Sequence, residues 1–202
     1  MFGRLILILL GATMITPSAF GEERGAAIVS RMTSTVRGLE NYAVRFSVSG
    51  MGFESSGEYH VSGDAYSLVL GDVGVWCDGS VRWEVNNTSR EITIDAVDRT
   101  ERNILNNPVS GLEFVGEEYD ASLLSEDGAE SVVRLTQRGR DARDRMVVDV
   151  AVDSRTWLPR RVVYRMGSDS ITIILRDIKR SSHAVERFDA SIYPGYEIID
   201  FR

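Results

Sequence analysis

The sequence predicts a mainly β domain, an antiparallel barrel or sandwich packed on one N-terminal amphipathic helix. Three features lead there. From Tyr42 onward, apolar and polar residues alternate with a period of two. Gly, Asn and Asp punctuate that alternation at intervals of roughly eight to twelve residues, the spacing of hairpins rather than of βαβ units. Before it, residues 22–38 carry a stripe at three- and four-residue spacing, the period of a helix.

The N-terminus opens with Arg4 ahead of an apolar run from Leu5 to Ile15; Pro17 breaks the run and small residues follow at Ala19 and Gly21. This is the pattern of a secretory signal peptide over residues 1–21, cleaved near Gly21. The run is shorter than the roughly 20 residues a spanning helix needs. Without a cysteine near the cleavage point, a lipid-modified N-terminus is not expected. Residues 22–202 are then one exported domain. In the first helix Ile28, Met32, Val36 and Leu39 form the stripe, Arg37 suits the C-terminal end, and Gly38 is the candidate C-cap.

Strands follow in order. "NYAVRFSVSG" alternates Tyr42, Val44, Phe46 and Val48 against Ala43, Arg45 and Ser47. Short strands are expected around Glu58–Val61 and Ala65–Leu70, joined by Gly63-Asp64. "DVGVWCDGSVRWEV" reads as a hairpin: a strand at Gly74–Cys77, the turn Asp78-Gly79, then Val81, Trp83 and Val85 alternating with Arg82 and Glu84. "REITID" closes this series. Residues 98–116 break the pattern and read as a short helix and a crossing segment. Strands resume at Ala121–Leu124, Ser131–Gln137, Met146–Asp153, Leu158–Met166 and Ser170–Lys179. The tail reads as mostly irregular, with a short apolar stretch at Tyr196–Phe201.

Composition narrows the function. The formal net charge is -7, and an acidic chain without clustered Lys and Arg is a poor partner for nucleic acid. Its single cysteine permits no internal disulfide. His60 and His183 have no metal-ligand spacing, so no metal and no cofactor are expected. Cys77 lacks a local positive charge to activate it and reads as a structural thiol. No nucleophile elbow, phosphate loop or dinucleotide fingerprint is present. The acidic cluster Glu117, Glu118 and Asp120 and the mixed run "RGRDARDR" at 138–145 read as solvated loop faces. "NNT" at 86–88 fits the glycosylation pattern only weakly. The chain is expected not to be an enzyme. Its apolar faces are the candidate working surface: Val44, Phe46, Val48, Tyr66, Leu68, Val75, Trp83, Val85, Met146, Val148 and Val150, all on one concave side.

Several stretches together resemble the periplasmic outer-membrane lipoprotein carrier proteins, the LolA-like family. They are "LENYAVRFSVS", "GEYHVSGDAYSL", "VWCDGSVRWEVN" and the ending "YPGYEIIDFR", in that order after a signal peptide and a helix. The resemblance implies a half-open antiparallel β-barrel with a helical lid. It implies a monomer whose cavity shields the acyl chains of lipoproteins between an inner-membrane exporter and an outer-membrane acceptor. A periplasmic module of the same fold that senses lipoproteins or envelope stress is the alternative. Members of the family carry a functional Arg in the turn after the second strand; here that turn is "SGDAY", residues 62–66, without one.

Overall fold

A computed structural model describes residues 17–97, 118–141, 145–182 and 184–202. Helix α1 spans Pro17–Arg37. Six strands follow: β1 (Asn41–Gly50), β2 (Phe53–Ser62), β3 (Ala65–Leu70), β4 (Val73–Cys77), β5 (Val81–Asn86) and β6 (Glu91–Ala96). Five more are β7 (Tyr119–Glu126), β8 (Glu130–Gln137), β9 (Val147–Asp153), β10 (Pro159–Met166) and β11 (Asp169–Arg180). A 3₁₀ turn at Ala190–Ile192 precedes β12 (Glu197–Asp200). The crossing segment expected at 98–116 lies outside the described residues, as does His183.

One 12-stranded sheet holds every strand among the described residues, in the order β12-β6-β5-β4-β3-β2-β1-β11-β10-β9-β8-β7. Two meanders, β1–β6 and β7–β11, are joined by the single antiparallel ladder of β1 with β11. The edge strands β12 and β7 do not meet, so the sheet is half-open rather than closed into a barrel. All pairings are antiparallel except β12 with β6, which is parallel.

Within the described residues the expected elements are present, with instructive differences at their ends. Helix α1 starts at Pro17 rather than Glu22. Gly38 is not its left-handed residue: its N–H still bonds the Ser34 carbonyl at 3.0 Å, and the chain reverses at Glu40, φ 58°. Strand β2 begins at Phe53, because the polar "FESSG" stretch is paired with β1 along its whole length. The tail is less irregular than its sequence suggests, since residues 197–200 gain a hydrogen-bonded partner in β6.

One core joins helix and sheet. Gly25, Ile28, Val29, Met32 and Val36 form the buried stripe of α1, and Met32 is fully enclosed. The stripe packs mainly on β7 and β8. The backbone of Ser122 and Leu123 passes so close to Gly25 that an added Cβ would lie 3.0 Å from it. From the sheet the core takes Tyr42, Val44, Phe46 and Val48 of β1, Tyr59 and Val61 of β2, Tyr66 and Leu68 of β3, and Val75 and Cys77 of β4. The second meander adds Val133, Leu135, Val148, Val150, Val152, Val162 and Ile173. The opposite face of the second meander is charged: Asp149, buried, accepts from Arg134 at 2.7 and 2.9 Å and from Arg165. These guanidinium groups hold its carboxyl below the usual range.

Gly57 is the tightest point of the first meander. A Cβ there would overlap the Val69 carbonyl oxygen and lie 2.9 Å from Cζ of Phe46, whose ring covers the glycine. Gly57→Ala therefore overpacks the β2–β3 ladder. It should lower unfolding free energy by about 1–3 kcal/mol, read as a reduced urea midpoint at unchanged slope.

Candidate functional site

Strand register assigns each candidate side chain to a face. Residues directly opposite in an antiparallel pair share a face, so rows can be traced across the first meander. One row runs Tyr42, Val61, Tyr66, Cys77, Arg82, Asp95. The next runs Val44, Tyr59, Leu68, Val75, Glu84, Thr93. Both face the core that α1 joins. In the second meander, Val148 lies opposite Leu135 and Tyr164, and Val150 opposite Val133 and Val162. Val44, Phe46, Val48, Tyr66, Leu68, Val75, Val148 and Val150 thus share one buried face, with Met146 packed partly buried against it. The helix residues Ile28, Met32 and Val36 belong to the same cluster, and Leu39 is partly buried against it.

Trp83 and Val85 do not. Trp83 pairs with Trp76, and Val85 with Gly74. Both therefore project to the face opposite Val75, which corrects the expected lining. The physical reason is the hairpin. Asp78 Oδ1 accepts from the N–H groups of Ser80 and Val81, each at 2.8 Å, and Gly79 takes φ 93°. This turn sets Cys77 opposite Arg82, so the apolar residues of β5 fall on the outer side and Arg82 and Glu84 on the inner one.

The outer side has its own small core. Phe188 stacks on Trp83 with ring centroids 5.4 Å apart and on Tyr193 at 6.0 Å; Trp76 contacts both. Tyr196 continues the series at 5.3 Å from Tyr193 and donates to Asn87 Oδ1 at 2.9 Å. Arg90 lies over the Tyr196 ring and donates to the Pro194 carbonyl. Beneath this strap Val85 is 0% and Ile92 1% exposed. Sequence reasoning missed the strap; the "YPGY" turn and Phe188 were its signals.

The inner face is apolar but not devoid of polar groups. Tyr42, Tyr59 and Tyr66 cluster on it, with centroids 6.4 and 5.9 Å apart in succession. Burial pushes the Tyr42 and Tyr66 hydroxyls up to about 12 and that of Tyr59 well above its ordinary value. It also raises the Cys77 thiol, which accepts from the Gly79 N–H at 3.3 Å, so the thiol form prevails in this inert position. At the β5 end Arg82 bonds Glu84, has Asp95 at 3.7 Å, and interacts with the Tyr66 hydroxyl.

Other sequence candidates are dispersed. Asp120 pairs with Arg138 at 2.7 Å in the open; Glu117 lies outside the described residues. Asn86 uses its Oδ1 to accept from Thr88 and Ser89 in the β5–β6 turn. Among the described residues no three His, Cys, Asp or Glu side chains gather as metal ligands, and no helix is long and apolar enough to cross a membrane.

No family model matches the chain, and no curated protein sequence matches it. Solved structures do. An uncharacterised conserved protein of Thermus thermophilus superposes with a TM-score of 0.59 at 10% identity, over 86% of this chain and 97% of that one. The likeness establishes a shared fold. Weaker likenesses include the lipoprotein LppX of Mycobacterium tuberculosis, TM-score 0.46 at 12% identity over 82% of this chain and 100% of that one. Another is the MucA/MucB complex of Pseudomonas aeruginosa, TM-score 0.48 at 15% identity; 83% of this chain aligns there, to 62% of that one.

The two faces make separable demands. Phe188→Ala removes the ring stacked on Trp83. It should cost ~2 kcal/mol of stability and shift tryptophan emission to longer wavelength, as the outer core opens to water. An unshifted spectrum would mean that the strap does not seal this face.

Proposed function

We propose that this chain is an exported periplasmic carrier that shields the acyl chains of lipoproteins against its inner face and moves them from inner to outer membrane. Residues 1–21 serve as its export signal, and the rest of α1, from residue 22 to 37, is the lid. The observation that carries this reading is the continuous apolar face shared by both meanders and α1, reached by no reactive constellation among the described residues. A half-open sheet supports it physically. Acyl chains gain roughly 0.8 kcal/mol per buried CH₂, and a face of Val, Leu, Phe and Met offers that gain without fixed polar contacts that would hinder release. The resemblance to LolA-like carriers supports it from the sequence side. An inner-membrane exporter and an outer-membrane acceptor are its partners on this reading, and it works as a monomer.

The turn at residues 62–66 lacks the family's Arg, and other contacts tie the lid down. Arg24 pairs with Glu126 of β7 at 2.9 Å, and Arg31 lies 4.4 Å over the Trp157 ring. Arg180 of β11 donates to the Gly38 carbonyl at 2.6 Å, at the negative end of the helix. The Arg24–Glu126 pair and the Arg180 bond at the helix terminus are both exposed, and exposed pairs are worth roughly 1 kcal/mol or less. A ligand that buries more apolar area than the helix stripe can displace it.

The purified protein should take up an apolar fluorescent dye and release it to an acylated peptide. Val148→Glu should abolish uptake, since an unpaired charge on that face is costly, whereas Trp83→Ala, on the outer face, should leave it intact. A folded Val148→Glu protein that binds as the parent does would sink the reading. Material from the periplasm should carry acylated protein; a bound regulatory protein without acyl groups would favour the sensor.

A spin-label pair at Ser34 and Ser80 tests the lid. Its distance distribution should lengthen when acylated peptide saturates the protein, and an unchanged distribution would make α1 a fixed part of the core.

A further inference from the structure

We propose that the inner face holds a built anchor for a neutral acyl ester, formed by Tyr59 and Arg82. The inference rests on the acyl-binding reading above and adds a chemical class to it. Tyr59 is 8% exposed, yet its hydroxyl oxygen has no hydrogen-bond partner among the described residues; the same holds for the buried Nε of Arg82. Among the described residues Ser154 Oγ is the remaining buried side-chain atom in that condition, and it sits in the turn after β9. Tyr59 and Arg82 by contrast face the same side, in adjacent rows of the first meander. Tyr66 connects them. Its ring is 5.9 Å from that of Tyr59, and its hydroxyl meets the Arg82 guanidinium.

A buried donor that gives up water without a replacement lowers stability. Two such donors on one apolar face are accounted for if a ligand supplies the acceptors. Both can donate, so the complement is an oxygen with lone pairs. Its charge follows from the neighbours. Arg82 already bonds Glu84 and has Asp95 within 3.7 Å. One cation beside two carboxylates leaves no positive excess for a free carboxylate, which is therefore disfavoured. A neutral ester carbonyl accepts the same hydrogen bonds without that repulsion. Val61, Leu68 and Val75 on the flanking positions take the attached chain. The anchor thus selects acyl esters over free fatty acids and over alkyl ethers of the same length.

The test is displacement of the bound apolar dye by a palmitoyl glycerol ester, the matching hexadecyl glycerol ether and free palmitate. The ester should displace at roughly fivefold to tenfold lower concentration than the ether, the worth of one or two hydrogen bonds, and palmitate should be weaker than the ester. Tyr59→Phe removes only the unpartnered oxygen, so the protein should fold as before. Its ester-to-ether ratio should fall toward one, with ether displacement unchanged. Arg82→Gln should lower the ratio in the same way. Equal displacement by ester and ether in the parent overturns the anchor while leaving acyl binding standing. An unaltered ratio in Tyr59→Phe overturns it as well. Failure of all three compounds to displace the dye overturns the acyl-binding reading and the anchor with it.

Discussion

The ladder between β1 and β11 holds the two halves of this molecule in one sheet, and every other long-range feature follows from it. Each meander is locally connected through hairpins, but only this pairing, with Phe46 opposite Leu175 and Val48 opposite Ile173, fuses them. It brings together residues far apart in sequence, so it carries the largest loop-closure cost of the fold. Several features fix it. The register shifts between Ala43 and Arg45, and Asp177 on the opposing strand takes φ 50°. Arg45 pairs with that Asp177 across the ladder. Gly50 closes the far end at φ 152°, where a Cβ would overlap the Ser170 carbonyl oxygen. With the ladder formed, the apolar rows of both meanders line up on one side.

The two faces of the sheet have different coverings. On the inner face, helix α1 supplies Ile28, Val29, Met32 and Val36 to a core shared by both meanders. On the outer face, the first meander is covered by the aromatic series Phe188, Tyr193 and Tyr196, while the second bears the Arg134–Asp149–Arg165 cluster. The C-terminal strap has a second consequence. By pairing β12 parallel to β6, it occupies the backbone groups of an edge strand that would otherwise invite pairing with another chain.

The inner face is graded rather than uniform. Along the rows it passes from aliphatic side chains in the second meander, through the tyrosines of β1–β3, to Arg82, Glu84 and Asp95 on β5 and β6. Such a gradient suits an amphiphile, with chain at one end and polar group at the other. It also separates helix α1 from the polar end, since α1 packs mainly on β7 and β8. Displacing the helix would then uncover the aliphatic half while the hydrogen-bonding half stays in place.

The class of the fold, the hairpin at Asp78-Gly79, the helical stripe and most of the inner face were legible in the chain alone. These are local signals: a period of two, a period near four, and turn residues with defined conformations. Val44, Phe46, Val48, Leu68 and Val148 could be read because their strands are covered by apolar matter on one side, so alternation reports the face. What covers the outer side of β5, and the fate of the tail, were settled by long-range packing. Val81, Trp83 and Val85 alternate as cleanly as any strand, yet they point outward. Their apolar partners, Phe188 and the residues around it, arrive from the end of the chain. Alternation reveals that one side of a strand is covered, but not by what. The Tyr59 and Arg82 donors were illegible for the same reason: whether a polar atom has a partner depends on the neighbours that folding brings to it.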